Sequence, residues 1–167
     1  MLRIVFVALL LWSASSFGGV DDLFSSGVLG VRWDSRLDEV RKVHPDGTAW
    51  DSTFDGNTEA VYYAVSGDLR FPGLDIPTRL VHFIFTKDQR LQAVFFHFKY
   101  SDRESVLYGI AQILGQDYSV KDEAGTRQFT WPTGEAAFAK LDVGNSPQNP
   151  WVHLAVRPLK NAAKKRN

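Results

Sequence analysis

The 167-residue chain contains no cysteine. That absence excludes a disulfide framework and a cysteine-borne lipid anchor. Net charge is absent too, with 19 Lys and Arg against 19 Asp and Glu. A bilayer-spanning helix needs about 20 apolar residues, and the leading apolar run, Ile4 to Trp12, is too short for one. No G-x-S-x-G elbow, phosphate-cradling glycine loop or H-E-x-x-H pair occurs, so the expectation is a protein that is not an enzyme and uses no cofactor. What remains is ordinary globular material, 44% hydrophobic and 23% charged, with aromatic residues at 13%.

Residues 1–16 join a basic Arg3 to that apolar run and end on small residues at Ala14 and Ser16. This is the pattern of a secretory signal peptide, and it points to a periplasmic or secreted product with no stable membrane insertion once the leader is removed. One domain is expected over 17–157, with halves at about 28–100 and 101–157. Residues 158–167 form a basic tail, expected to be disordered. Charge is divided accordingly: residues 17–156 hold thirteen Lys and Arg against nineteen Asp and Glu, and five further cations stand at Arg157, Lys160, Lys164, Lys165 and Arg166. Such a tail alone does not indicate nucleic-acid binding.

The stretch from Thr78 to Tyr100 organises the rest. It reads as two strands joined by a polar turn at Lys87 to Arg90. Strand side chains alternate between faces, so pairing Thr86 with Leu91 sets Val81, Phe83 and Phe85 beside Val94, Phe96 and Phe98. That face is the expected core. Leu80, His82, Ile84 and Thr86 then share the opposite, amphipathic face with Leu91, Ala93, Phe95, His97 and Lys99.

The elements around this hairpin follow local signals. Phe17 to Ser26 reads as an exposed leader and Val28 to Trp33 as a short strand. Leu37, Val40 and Val43 form a helical stripe capped by Asp34 or Ser35 and ended by Pro45. Asp46 to Asn57 is expected to be a polar loop and Glu59 to Val65 a strand, followed by the turn-rich SGDLRFPGLDIP. A second helix is predicted from a Ser101/Glu104 capping box through Val106, Leu107, Ile110, Ile113 and Leu114 to Gly115. Strands follow at Arg127 to Trp131, Ala136 to Val143 and Trp151 to Val156. Helix and three strands, repeated in tandem, predict the α+β class: a single antiparallel sheet with two helices packed on one face.

The run GVLGVRWDSRLDEVRKVHP, with Gly30, Trp33, Glu39 and Val40, resembles the opening of small exported bacterial domains. With the doubled helix-plus-sheet order it is similar to the β-lactamase-inhibitor-protein-like class. The resemblance implies binding through the open face of the sheet rather than catalysis.

Three histidines bear on that face. His82 and His97 lie diagonally across the hairpin, and His153 alternates with the apolar set Val152, Leu154 and Val156. A zinc site needs a third ligand beyond the first two, and His153 has no assignable place in the sheet, so tolerated sheet-face histidines are the plainer reading. Asp51 to Glu59 begins like a calcium loop, but Tyr62 stands where the closing carboxylate belongs; a polar turn is the simpler reading. His44 and Asp46 form a helix end with no nucleophile nearby. Exposed aromatics are the remaining signal, because protein interfaces favour aromatic anchors. The sequence therefore predicts a partner-binding surface made of His82, Phe95, His97, Trp151 and His153, engaging a cell-envelope protein. The alternative is a carrier of a small apolar ligand, its pocket lined by Phe83, Phe96, Leu107 and Ile110.

Overall fold

The computed structural model describes residues 19–159, apart from 55, 57 and 133. The predicted signal peptide and nearly all of the basic tail lie outside the described residues, as does Asp55 of the calcium-like loop. The α+β class holds, and the bulk of the chain is antiparallel sheet.

The chain opens with α1 (Val20–Phe24), a ribbon of β1 (Gly27–Val28) and β2 (Val31–Arg32), and α2 (Leu37–Val43). Four strands follow: β3 (Thr48–Phe54), β4 (Thr58–Ser66), β5 (Leu80–Thr86) and β6 (Leu91–His97). A 3-10 turn at Tyr100–Asp102 leads into α3 (Arg103–Leu114), and a second set of four strands closes the fold: β7 (Ser119–Glu123), β8 (Thr126–Thr130), β9 (Ala137–Gly144) and β10 (Val152–Pro158). The eight long strands form one sheet in the order β3-β4-β5-β6-β10-β9-β8-β7. Each half is thus a helix and a four-stranded meander, and the last strand of one half pairs with the last strand of the other.

The structure departs from the sequence expectation at four points. The repeat has four strands per half, because Thr48–Phe54 and Ser119–Glu123 are edge strands. Edge strands are half exposed and tolerate polar side chains, so they read as loops. The leader before β1 contains α1, which buries Val20 and Phe24, making three α-helices rather than two. Val28 to Trp33 is a two-stranded ribbon turned at Leu29 and Gly30, whose φ angles of 52° and 77° suit a tight hairpin. Finally, α3 has Asp102 at its N-cap with no side-chain cap; Ser101 Oγ donates to Asp102 instead.

The central hairpin pairs as the alternation requires, Leu80 with His97 through Ile84 with Ala93. A bulge at its end sets Phe85 opposite Leu91. One inserted residue reverses the parity beyond it, so Leu91 joins the core instead of the open face.

All three helices pack on the same side. Val20 and Phe24 of α1, Leu37 and Val40 of α2, and Val106, Ile110 and Leu114 of α3 share one cluster with Val81, Phe83, Phe85, Val94, Phe96, Leu141, Leu154 and Val156. The turn-rich connection contributes Phe71 and Leu74 to it, with the Phe71 ring 5.5 Å from Phe24 and 5.3 Å from Phe96. The short motif before α2 is structural: Trp33 Nε1 donates to the Phe24 carbonyl, Arg36 N–H donates to Glu39 Oε2 at 2.7 Å, and Val40 is fully buried.

The first and last quarters of the domain are tied together by Asp21. Its carboxylate accepts the backbone N–H groups of Glu135, Ala136 and Ala137 at 2.6, 3.1 and 2.8 Å, just where β9 begins. Hydrogen bonds to a charged acceptor contribute about 1.5–3 kcal/mol each, less where water competes. Asp21→Ala is expected to destabilise the fold by about 2 kcal/mol in chemical denaturation, whereas Asp22→Ala, at an exposed neighbour, should leave the midpoint unchanged.

Candidate functional site

Helices occupy one face of the sheet, and among the described residues none covers the other. That open face carries its own small apolar cluster of Ala60, Ile84 and Ala93, shielded by Phe54, Tyr62 and Phe95. Ile84 is fully buried although no helix lies above it. Rings do the covering.

Alternation places these rings in a row. Trp50 pairs with Tyr62 across β3 and β4, His82 with Phe95 across β5 and β6, and His97 with His153 across β6 and β10. Trp50 stacks on Tyr62 at 5.7 Å, and both meet the His82 ring nearly at right angles at 5.5 and 5.9 Å. His82 lies 4.6 Å from His97, His97 lies 5.6 Å from His153, and Phe95 stacks on His153 at 5.7 Å with planes 3° apart. Phe54 reaches Phe95 at 6.0 Å, although β3 and β6 are three strand spacings apart, about 14 Å in a flat sheet. The β3 edge is therefore drawn over this face.

Four of the five residues predicted as a binding surface, His82, Phe95, His97 and His153, stand together here. Trp151 stands apart from the row, 58% exposed just before β10. Sequence reasoning missed Trp50, Phe54, Tyr62, Lys140 and Asp142. The first two fall in the stretch expected to be a polar loop, Asp46 to Asn57. Phe138, Lys140 and Asp142 alternate visibly with Ala139, Leu141 and Val143, but no local pattern says which strands they pair with.

Asp142 is only 6% exposed and pairs across the strands with His153. Its Oδ2 accepts from His153 Nε2 at 3.1 Å and Lys140 Nζ at 3.0 Å. Burial alone would raise its pKa, but those two cationic or polar donors outweigh it and the carboxyl titrates below its usual range. Next along the row, Nε2 of His97 and Nδ1 of His82 are 3.2 Å apart. Burial first, then the charges of His82, His153 and Arg79, pushes His97 down to about 3. His82 is lowered as well, by burial and then by His153. Three buried polar atoms on this face have no partner among the described residues: His82 Nε2, His153 Nδ1 and Asp142 Oδ1.

Among the described residues no group of three or more His, Cys, Asp or Glu side chains is gathered for a metal ion. No described helix is long and apolar enough to cross a membrane. Of the residues named for a carrier pocket, Phe83, Phe96 and Ile110 are fully buried in the core. Leu107 instead lines a cleft of about 300 Å³ beside Tyr100, Arg103, Arg127, Phe129 and Val143. The calcium-like stretch runs from β3 into β4. His44 Nε2 lies 3.1 Å from the Leu29 carbonyl, and its own carbonyl accepts from Tyr63, which fits a structural helix end.

Comparison with known proteins gives no match: no family profile, curated protein or solved structure is significantly similar to the chain.

Two outcomes are expected from these assignments. Phe96→Ala, in the core, should cost about 3–5 kcal/mol of stability, and Phe95→Ala, half-buried on the other face, distinctly less; urea titration compares them. Stability should also depend on pH through His97. Unfolded, it takes up a proton near 6.5, whereas folded it waits until about 3, so in this interval the unfolded chain holds more protons. Stability is therefore complete above about 6.5 and falls, by at most about 1.4 kcal/mol per pH unit for this residue, as pH drops. Denaturation at pH 7 and pH 5 in chelator-containing buffer should show a loss near 2 kcal/mol, reduced in His97→Phe. An equal slope in the variant would assign the effect to other groups. Asp142, with its lowered pKa, acts only at still lower pH.

Proposed function

We propose that the chain is an exported, non-catalytic binding module that grips a partner protein of the cell envelope with the open face of its sheet. The observation that carries this reading is the continuous row of six rings, Trp50, Tyr62, His82, Phe95, His97 and His153, on the face left free by the described helices. Large aromatic side chains bury much apolar area on contact, and Trp and Tyr are enriched among the few residues that dominate binding energy at protein interfaces. The row is already packed, so a partner meets a preformed surface. Its charged members are few and compensated: Lys140 and Asp142 neutralise each other at one end, which suits contact with an apolar or aromatic anchor. The leader at 1–16 would deliver the module to the periplasm or the exterior, and the resemblance to β-lactamase-inhibitor-protein-like domains implies the same use of the sheet.

Capture from an envelope extract tests the proposal. The wild-type protein is expected to retain a specific protein that Trp50→Ala/Phe95→Ala loses while keeping its circular dichroism spectrum. Capture that is equal in both, or absent from both, would remove the open face as the binding surface.

A further inference from the structure

The chain has four histidines, and three of them stand on adjacent strands of one face. We propose that His82 and His97 hold a divalent metal ion of the zinc type, His82 through Nδ1 and His97 through Nε2. The argument is one of distances. Zinc bonds imidazole nitrogen at about 2.0–2.1 Å with tetrahedral angles, which sets two ligating nitrogens about 3.3–3.4 Å apart. The two nitrogens here are 3.2 Å apart.

The surroundings support the same assignment. Trp50 and Tyr62 wall the His82 ring at 81° and 82° and limit its rotation. His153, the cross-strand partner of His97, is held through Nε2 by Asp142 at 3.1 Å. Its Nδ1 is thereby left buried and without a partner. Since no three ligands already converge, water completes the coordination of this two-histidine site. The inference stands independently of the docking reading, because the pair requires only the ion.

The test uses protein free of any polyhistidine tag. Zinc chloride is titrated calorimetrically and cobalt(II) by visible absorption, on wild type, His82→Phe, His97→Phe and His44→Ala. Scaled by ligand number from four-ligand sites, one zinc should bind with a Kd between about 1 and 100 μM. Each Phe variant should bind at least tenfold more weakly and lose the cobalt band, while His44→Ala keeps both. No binding by wild type at about 1 mM zinc, or undiminished binding by both Phe variants, overturns the site and identifies the contact as a hydrogen bond between two imidazoles. Should a Phe variant fail to fold, nitrogen-15 shifts of the wild-type imidazoles decide: zinc must move His82 and His97 and leave His44 in place, and any other pattern overturns the proposal.

Discussion

The fold depends on the antiparallel pairing of β6 with β10. This seam sets Phe96 and Val94 beside Leu154 and Val156 under the helices, and on the reverse side sets His97 and Phe95 beside His153 and Ala155. Without it there would be two four-stranded meanders, each with a bare edge and half a core. With it, one apolar cluster runs through both halves and gathers α1, α2 and α3 above it. The same pairing completes the histidine row: His82 and His97 belong to one hairpin, and the seam brings His153 of β10 beside them from more than fifty residues farther along the chain.

The two faces solve burial differently. Beneath the helices, aliphatic and aromatic side chains interlock across the two layers, as protein interiors generally do. On the reverse face the described residues supply no second layer, and flat rings lie across Ala60, Ile84 and Ala93 in its place. Imidazoles can join such a layer only when neutral, and burial among like groups keeps His82 and His97 so. The ring layer therefore ends where charge begins, at Asp142 between His153 and Lys140.

Much of the first half was legible because its signals are local. Alternation along Thr78 to Tyr100 fixed both faces, and apolar spacing located α2 and α3. Failures came where local signals weaken. At β3 and β7 an edge position relaxes the demand for alternating apolar residues. At α1, five residues offer Val20 and Phe24 as the only buried positions, too short a stripe to recognise. The bulge that turns Leu91 inward depends on one extra residue. For the site, His82, Phe95 and His97 follow from one hairpin, whereas the place of His153 and Asp142 follows only from the seam, and no local pattern encodes which strands meet across the middle of a sheet.

The position of the seam has a consequence for the order of events during synthesis. β6 is the last strand of the first half, and its neighbour β10 ends the described fold. While a nascent chain lacks residues 152–158, the segment LQAVFFH presents an unpaired backbone edge flanked by apolar side chains, the kind of edge that recruits other strands. Completion of the sheet is thereby delayed to the end of the chain, and closing contacts across so long a loop is intrinsically slow. A polypeptide of this design is suited to being kept extended until its whole length is available.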